Sequence, residues 1–343
     1  MFQTQDRNRR AVGHWLLFMA FMVWLMVMVG GATRLTESGL SMTTWKPISG
    51  VIPPISDTEW QAEFDLYKNS PEFKLKNYTM SVEEFKSIFY WEWGHRVLGR
   101  LIGLFFAVPF IYFWLRKKIP EGYKPKLIFL FILGGSQGLL GWYMVKSGLV
   151  NEPAVSHYRL TAHLSLALFI MAALLWQAFN LLNPVPSESR KPVKILTHSL
   201  MLLLVIQIVM GGLVAGLKAG LNFNTWPLMG ETFIPDGLLF MDPLWRNFFD
   251  NGVTVQFDHR IVAYIMFAVV IALFVKSRGR ISRNVKQAIS ALVLVISLQI
   301  FIGIVMLLKQ VPVDWGTAHQ GGGAVVLAFM VYLMHLQRGK RAP

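Results

Sequence analysis

AVGHWLLFMAFMVWLMVMVGG, Ala11 to Gly31, holds no Asp, Glu, Lys or Arg across 21 residues. As a helix rising 1.5 Å per residue it is about 31 Å long, the thickness of a bilayer's hydrocarbon core. Seven further stretches read the same way, at 89–115, 125–146, 157–182, 195–216, 256–275, 287–308 and 318–337. The second and sixth open on polar residues, so their starts are the least defined. The composition agrees: 54% of the 343 residues are hydrophobic and only 15% are charged, against about a quarter in soluble domains. The expected fold class is all-α, a polytopic membrane protein of eight transmembrane helices with both termini on one side. Cys is absent, which excludes a disulfide scaffold and a thiolate-ligated zinc or iron–sulfur centre.

Outward from the spans, the net charge of +14 sorts by loop. Arg7, Arg9 and Arg10 precede the first span, and Arg116, Lys117, Lys118, Lys124 and Lys126 lie between the second and third. Arg190, Lys191 and Lys194 separate the fourth and fifth; Lys276, Arg278, Arg280, Arg283 and Lys286 the sixth and seventh; Arg338, Lys340 and Arg341 follow the last. Beside these 19 stand only Asp6, Glu121 and Glu188, so one side carries +16 and the other −2. The positive-inside rule makes both termini cytoplasmic. The basic balance is thus a topology signal, and no nucleic-acid partner is expected. MFQTQDRNRR is too short for a transit peptide, and the first span lacks a cleavage site and exceeds a signal h-region. A bacterial cytoplasmic (inner) membrane is the expected location.

The Gly pair that ends the quoted stretch starts an internal repeat. Gly30-Gly31 followed by SGLSMTTW (Ser38 to Trp45) matches Gly211-Gly212 followed by AGLNFNTW (Ala219 to Trp226). WGHRVLGR, Trp93 to Arg100, matches FDHRIVAY, Phe257 to Tyr264. Gln137 and Gly141 match Gln299 and Gly303, and Thr161-Ala162-His163 matches Thr317-Ala318-His319. Four spans per half give parallel repeats. Two four-helix bundles are expected, at 1–194 (with a long outer loop, 32–88) and 195–343. The outer loop carries aromatics at helical spacing, which suits interfacial amphipathic helices or a roof over a site below.

Four of the eight His fall at one depth. His95, His163, His259 and His319 lie 17 to 21 residues before Arg116, Asn183, Lys276 and Arg338, about 26–31 Å from the cytoplasmic boundary and near the outer face. Ionisable groups inside a bundle mark a functional site. Two imidazoles per bundle are sparse for zinc, but suffice for a haem, whose porphyrin supplies the other four ligands. His14, His198 and His335 lack repeat partners and read as structural; His157, at the outer boundary, is ambiguous. Arg96 and Arg260 follow two of the four His, and Arg159 precedes a third by four residues. They suit haem propionates, and equally outer-leaflet phosphates. Glu92 shares a helix face with His95, three residues on, while its counterpart in the second half is Gln256. The asymmetry suggests proton chemistry in the first half and cofactor holding in the second; an interfacial acid facing water is the alternative.

GGATRLTESGLSMTTWKP, WEWGHRVLGR, TAHLSLAL, NTWPLM, FDHR and TAHQ, in this order along nearly the whole chain, resemble the haem A synthase family. The resemblance implies oxidation of a haem O methyl group, through an alcohol and a hydrated aldehyde, to the formyl group of haem A for haem-copper oxidases. It makes His259 and His319 axial ligands of a resident haem b, with Arg260 beside them. It makes His95 and His163 ligands or near neighbours of the substrate haem iron, with Arg96 and Arg159 alongside. Glu92 takes the place of the catalytic acid, as proton-transfer group or as cation stabiliser. It also implies haem O synthase and oxidase assembly factors as partners, an unidentified electron carrier, membrane lipid, and room for a homo-oligomer. Some members carry Cys pairs in the outer loops; this chain does not. The rival readings are a di-haem b-type electron-transfer cytochrome and a parallel-repeat transporter. Four His at one depth argue against a transmembrane electron wire, and the scarcity of polar groups below them argues against a transporter.

Overall fold

The computed structural model describes residues 2–44, 49–148, 154–182, 186–187 and 189–338. Trp45 to Pro47 of the repeated motif, and Asn183, Glu188, Lys340 and Arg341 of the charge and depth readings, lie outside the described residues. Among the described residues eleven α-helices follow one another: α1 (Phe2–Leu35), α2 (Asp57–Lys68), α3 (Pro71–Leu75), α4 (Val82–Leu115), α5 (Lys124–Gly148), α6 (His157–Leu182), α7 (Lys191–Gly216), α8 (Asn247–Asp250), α9 (Gly252–Lys276), α10 (Arg283–Leu308) and α11 (Val313–Leu336). Short 3-10 turns sit at 49–51, 219–221 and 244–246, and no strand occurs among the described residues. The expected fold class and eight spans hold: α1, α4, α5, α6, α7, α9, α10 and α11 are each long and apolar enough to cross a membrane.

The spans that begin on polar residues start earlier than hydropathy suggests. At α4 a capping box decides: the Ser81 hydroxyl accepts from Glu84 N–H, and the Glu84 carboxylate accepts from Ser81 N–H. The 34 residues of α4 span about 51 Å, so its first turns stand outside a 30 Å hydrocarbon layer. At α9 the Asn251 side chain accepts from Val253 and Thr254 N–H, and at α11 Pro312 precedes the first turn.

On the protruding turns of α4 sits a small aromatic core. Trp60, Phe64 and Tyr67 of α2 turn inward on Phe85 and Phe89 of α4 and on Met42. The apolar face of α2 is therefore covered by protein, not laid on lipid. Within the membrane, α1, α6 and α11 are the most buried spans and α4, α5 and α10 the least. α1 packs on α4, α6 and α11; α6 also on α5, α7 and α11; α7 on α9; and α10 on α9 and α11. Polar ties reinforce the α1–α11 seam, with the Trp24 indole donating to Gly321 O at 3.0 Å and the Gln320 amide to Val27 O at 2.7 Å. The expected boundary at 194/195 falls in the first turn of α7.

Candidate haem-binding site

His259 projects from α9 and His319 from α11. Each faces a glycine on the neighbouring helix, Gly211 of α7 and Gly303 of α10; a methyl there would lie 3.4 and 2.7 Å from the imidazole Cε1. Amides hold both residues. Gln207 of α7 donates to the His259 carbonyl at 3.0 Å and meets the ring Nε2 at 3.2 Å. Gln299 of α10 donates to the His319 carbonyl at 2.7 Å and meets Nδ1 at 3.2 Å. The ring centroids are 6.4 Å apart. Two metal–nitrogen bonds of about 2.0–2.1 Å, with a ring centre roughly 1.2 Å behind each nitrogen, require about 6.4 Å. Both rings border a cavity of about 420 Å³ whose walls include Leu204, Ile208, Met266, Ile300 and Ala324, with Arg34, Lys218 and Arg260 also lining it. Nδ1 of His259 is buried without a hydrogen-bond partner. An apolar slot between two suitably spaced imidazoles, with cations on its lining for carboxylates, fits a haem. Gly31, Arg34 and Leu35 of α1 and Leu164 and Leu168 of α6 complete the walls, so this cavity draws on both halves of the chain.

His95 projects from α4 and His163 from α6. They too face glycines, Gly30 and Gly141, where an added methyl would stand 3.3 Å from His95 Nε2 and 3.0 Å from His163 Cε1. Gln137 of α5 donates to the His163 carbonyl at 3.0 Å and meets its Nε2 at 3.3 Å, and the His163 Nδ1 is buried and unpartnered. His163 thus keeps one imidazole nitrogen without a partner.

Glu92 is 2% exposed, one turn outward of His95. Its Oε2 accepts from the Ser41 hydroxyl at 2.7 Å and from Met42 N–H at 2.8 Å, and its Oε1 from Arg96 at 2.6 Å. Arg96 also donates to the Met42 and Thr44 carbonyls at 3.0 and 3.2 Å. Arg260 does the same at the matched positions, donating to Phe223 and Thr225 O at 3.0 Å each. There Gln256 replaces the acid; its amide donates to Phe223 O at 3.0 Å and its Oε1 is buried and unpartnered. Both arginines therefore clamp the segments that follow α1 and α7, and only the first clamp holds a carboxylate.

Arg159 points elsewhere, donating to Ser147 at 2.6 Å with its guanidinium over the Tyr143 ring. His157 donates to Asp250, which also accepts from Tyr158 and Arg246 and so ties α6 to α8. Of the histidines read as structural, His198 donates to the Lys194 carbonyl and His335 is fully buried between Asn180 and Arg338. Sequence reasoning gave no role to Gln207, Arg34, Lys218 or Ser41. Gln137 and Gln299 stood out only as repeat marks.

Residues 13–331 match the family model described as cytochrome oxidase assembly protein, COX15-CtaA. A protein named heme A synthase from Parvibaculum lavamentivorans is 47% identical over 335 residues, 97% of this chain and 96% of its own. Proteins of the same name from Mesorhizobium japonicum and Rhizobium meliloti are 48% and 45% identical, over 94% and 95% of this chain and 89% of each relative. With a family model covering its eight spans and relatives aligned nearly end to end, the chain belongs to the COX15-CtaA family of cytochrome oxidase assembly proteins.

Proposed function

We propose that the protein is a haem A synthase, oxidising a methyl group of haem O to a formyl group. The chain's likeness to relatives of that name supports the reaction. The observation that carries the assignment of sites is the asymmetry of the two arginine clamps: Glu92 in one, Gln256 in the other, on matched hydrogen-bond frames. In this reading residues 1–194 take the substrate and residues 195–343 hold haem b. His259 and His319 hold the haem b iron, with Arg260, Arg34 and Lys218 toward its carboxylates. When bound, that haem supplies one-electron transfer between the substrate half and an external carrier.

His95 and His163 orient the substrate haem through its iron. Glu92 is one helical turn from His95, with both its oxygens engaged by three donors. A carboxylate has about four lone-pair sites. Held this way, Glu92 keeps a fixed position from which it serves the reacting carbon, by stabilising positive charge that develops there or by taking a proton in its one remaining acceptor direction. Ser41 and Arg96 fix its position. The protein lies in the bacterial inner membrane with both termini cytoplasmic and the haem sites near the outer face. Its partners would be a source of haem O and the oxidase assembly that receives haem A.

The test is co-expression with a haem O source, followed by chromatography of the extracted haem. The wild type should yield haem A. Glu92→Gln should keep both haems but lose formyl product, by a factor of about 100 or more. Undiminished haem A from Glu92→Gln would reject the role of Glu92. Only b-type haem from the wild type, with haem O supplied, would favour the electron-transfer cytochrome.

A further inference from the structure

The four imidazoles are not held alike. Gln207, Gln137 and Gln299 each donate to the main-chain carbonyl of a histidine and stand 3.2–3.3 Å from its ring. In all three the amide Oε1 is buried without a partner. Each amide thus offers the ring a donor as the helices stand; turned about its last torsion it gives up its bond to the carbonyl and offers the ring an acceptor instead, so it can satisfy the nitrogen that is not bound to metal. Gln207 lies one turn below Gly211 on α7. The matched position on α1, one turn below Gly30, is Met26. Its methyl packs against α4, where a methyl added to Gly99, one turn beyond His95, would lie 3.2 Å from Met26 Cε. A thioether there has no N–H to give. Among the described residues no side-chain amide is recorded against His95.

We propose that Gln207, Gln137 and Gln299 are positioning residues that lock His259, His163 and His319, and that Met26 leaves His95 as the exchangeable iron ligand of the first pair. The proposal rests on the reading of the two His pairs as haem sites. A synthase must keep one haem and release the other after each turnover, and no difference in ligand type between the pairs provides that distinction. A difference in bracing does: both ligands of the second pair are locked, and one of the first is not. Loss of an outer-shell hydrogen bond to a ligating histidine typically weakens metal binding 10–100-fold.

The test uses the full chain in detergent, loaded with ferric haem b as probe, and follows haem loss to excess apo-globin. His163→Ala and His319→Ala assign the two phases. In the wild type the phase lost with His163→Ala should be the fast one. Gln207→Met should accelerate the slow phase about tenfold or more and shift its low-spin absorbance and electron paramagnetic resonance signature. Met26→Gln should slow the fast phase by a similar factor. Equal wild-type rates, or a slow phase indifferent to Gln207→Met, overturn the proposal; Gln207→Met decides the matter alone if Met26→Gln does not accumulate. Haem uptake that ignores His319→Ala overturns the haem reading itself. Uptake that depends on His319, with rates that ignore both exchanges, overturns only the bracing.

Discussion

A methyl on Gly303 would sit 2.7 Å from His319 Cε1, inside any tolerable contact, whereas one on Gly211 would sit 3.4 Å from His259 Cε1, at ordinary van der Waals distance. The two imidazoles depend on the bareness of those positions to different degrees. Gly303→Ala must push the ring or separate α10 from α11, at a cost of about 1–3 kcal/mol in packing and with the loss of the 6.4 Å spacing. Haem content per protein, measured by absorbance, should fall several-fold or more in Gly303→Ala and stay near wild type in Gly211→Ala. Equal content in the two would mean the ring is not seated as described. At this scale the sequence was legible wherever a residue clashed with its surroundings. A histidine in an apolar span announces itself, and so does Glu92 against Gln256. Gln207 did not, because its matched position is Met26 and the repeat passed over it. The duty of Arg96 was also hidden: a guanidinium that suits a propionate equally suits the carbonyls of Met42 and Thr44, which only the folded loop brings within reach.

Helix α4 shows what an element can do when it outgrows the membrane. Its capping box starts the helix at Val82, and the extra turns give α2 a surface to bury Trp60, Phe64 and Tyr67 against. Under that core, at the start of α3, lies Glu72, 5% exposed and accepting from the Tyr67 hydroxyl at 3.1 Å, with Asn77 donating to the same hydroxyl at 2.7 Å. Burial pushes the Glu72 carboxyl up to about 7; the Tyr67 bond and the nearby Lys76 oppose this, and the charge of Glu92 adds to it. The folded cap thus keeps a proton that the unfolded chain gives up near pH 4.5. Its stability falls as pH rises from there to about 7 and then levels off, by on the order of 3 kcal/mol at most. Glu72→Gln removes this dependence. Amide exchange over residues 57–75 should therefore be slower in Glu72→Gln than in the wild type at pH 8, after correction for intrinsic rates, and similar in the two near pH 4.5. A wild-type cap equally protected at both values would rule the titration out. Hydropathy placed the later start of α4 because it weighs apolar content, and the cap's residues are acids and lysines outside the lipid.

For the whole molecule, the number of spans followed from apolar length, which the bilayer reads directly. The order of packing did not, since lipid tails are as apolar as a neighbouring leucine and the most apolar span, α10, is among the least buried. What joins α1 to α7 beside the cavity is polar. Arg34 at the end of α1 donates to Ala215 O at 3.0 Å and Gly216 O at 3.4 Å, and Glu37 pairs with Lys218. Arg34 and Ala215 stand four residues after the first glycine of their respective Gly pairs, and Glu37 and Lys218 seven after. Matched positions meeting one another are what a two-fold relation between the halves predicts on its axis. The Glu37–Lys218 pair is about half exposed, and pairs of that kind contribute little. Arg34 is different, since it places a cation on the last carbonyls of α7 while lining the cavity of His259 and His319. Arg34→Ala should lower the unfolding free energy in mixed micelles by about 1–3 kcal/mol, and Arg34→Lys should recover much of it, because both carbonyls accept from one nitrogen, Nη2, a role an ammonium can fill. Arg9→Ala, in the first turns of α1, is the control and should change it by no more than about 0.5 kcal/mol. If Arg34→Ala is as stable as that control, the halves are held by apolar packing of α1, α6 and α11 alone. The cavity's haem would then stay in place without Arg34, a result that haem content in the same preparations would reveal.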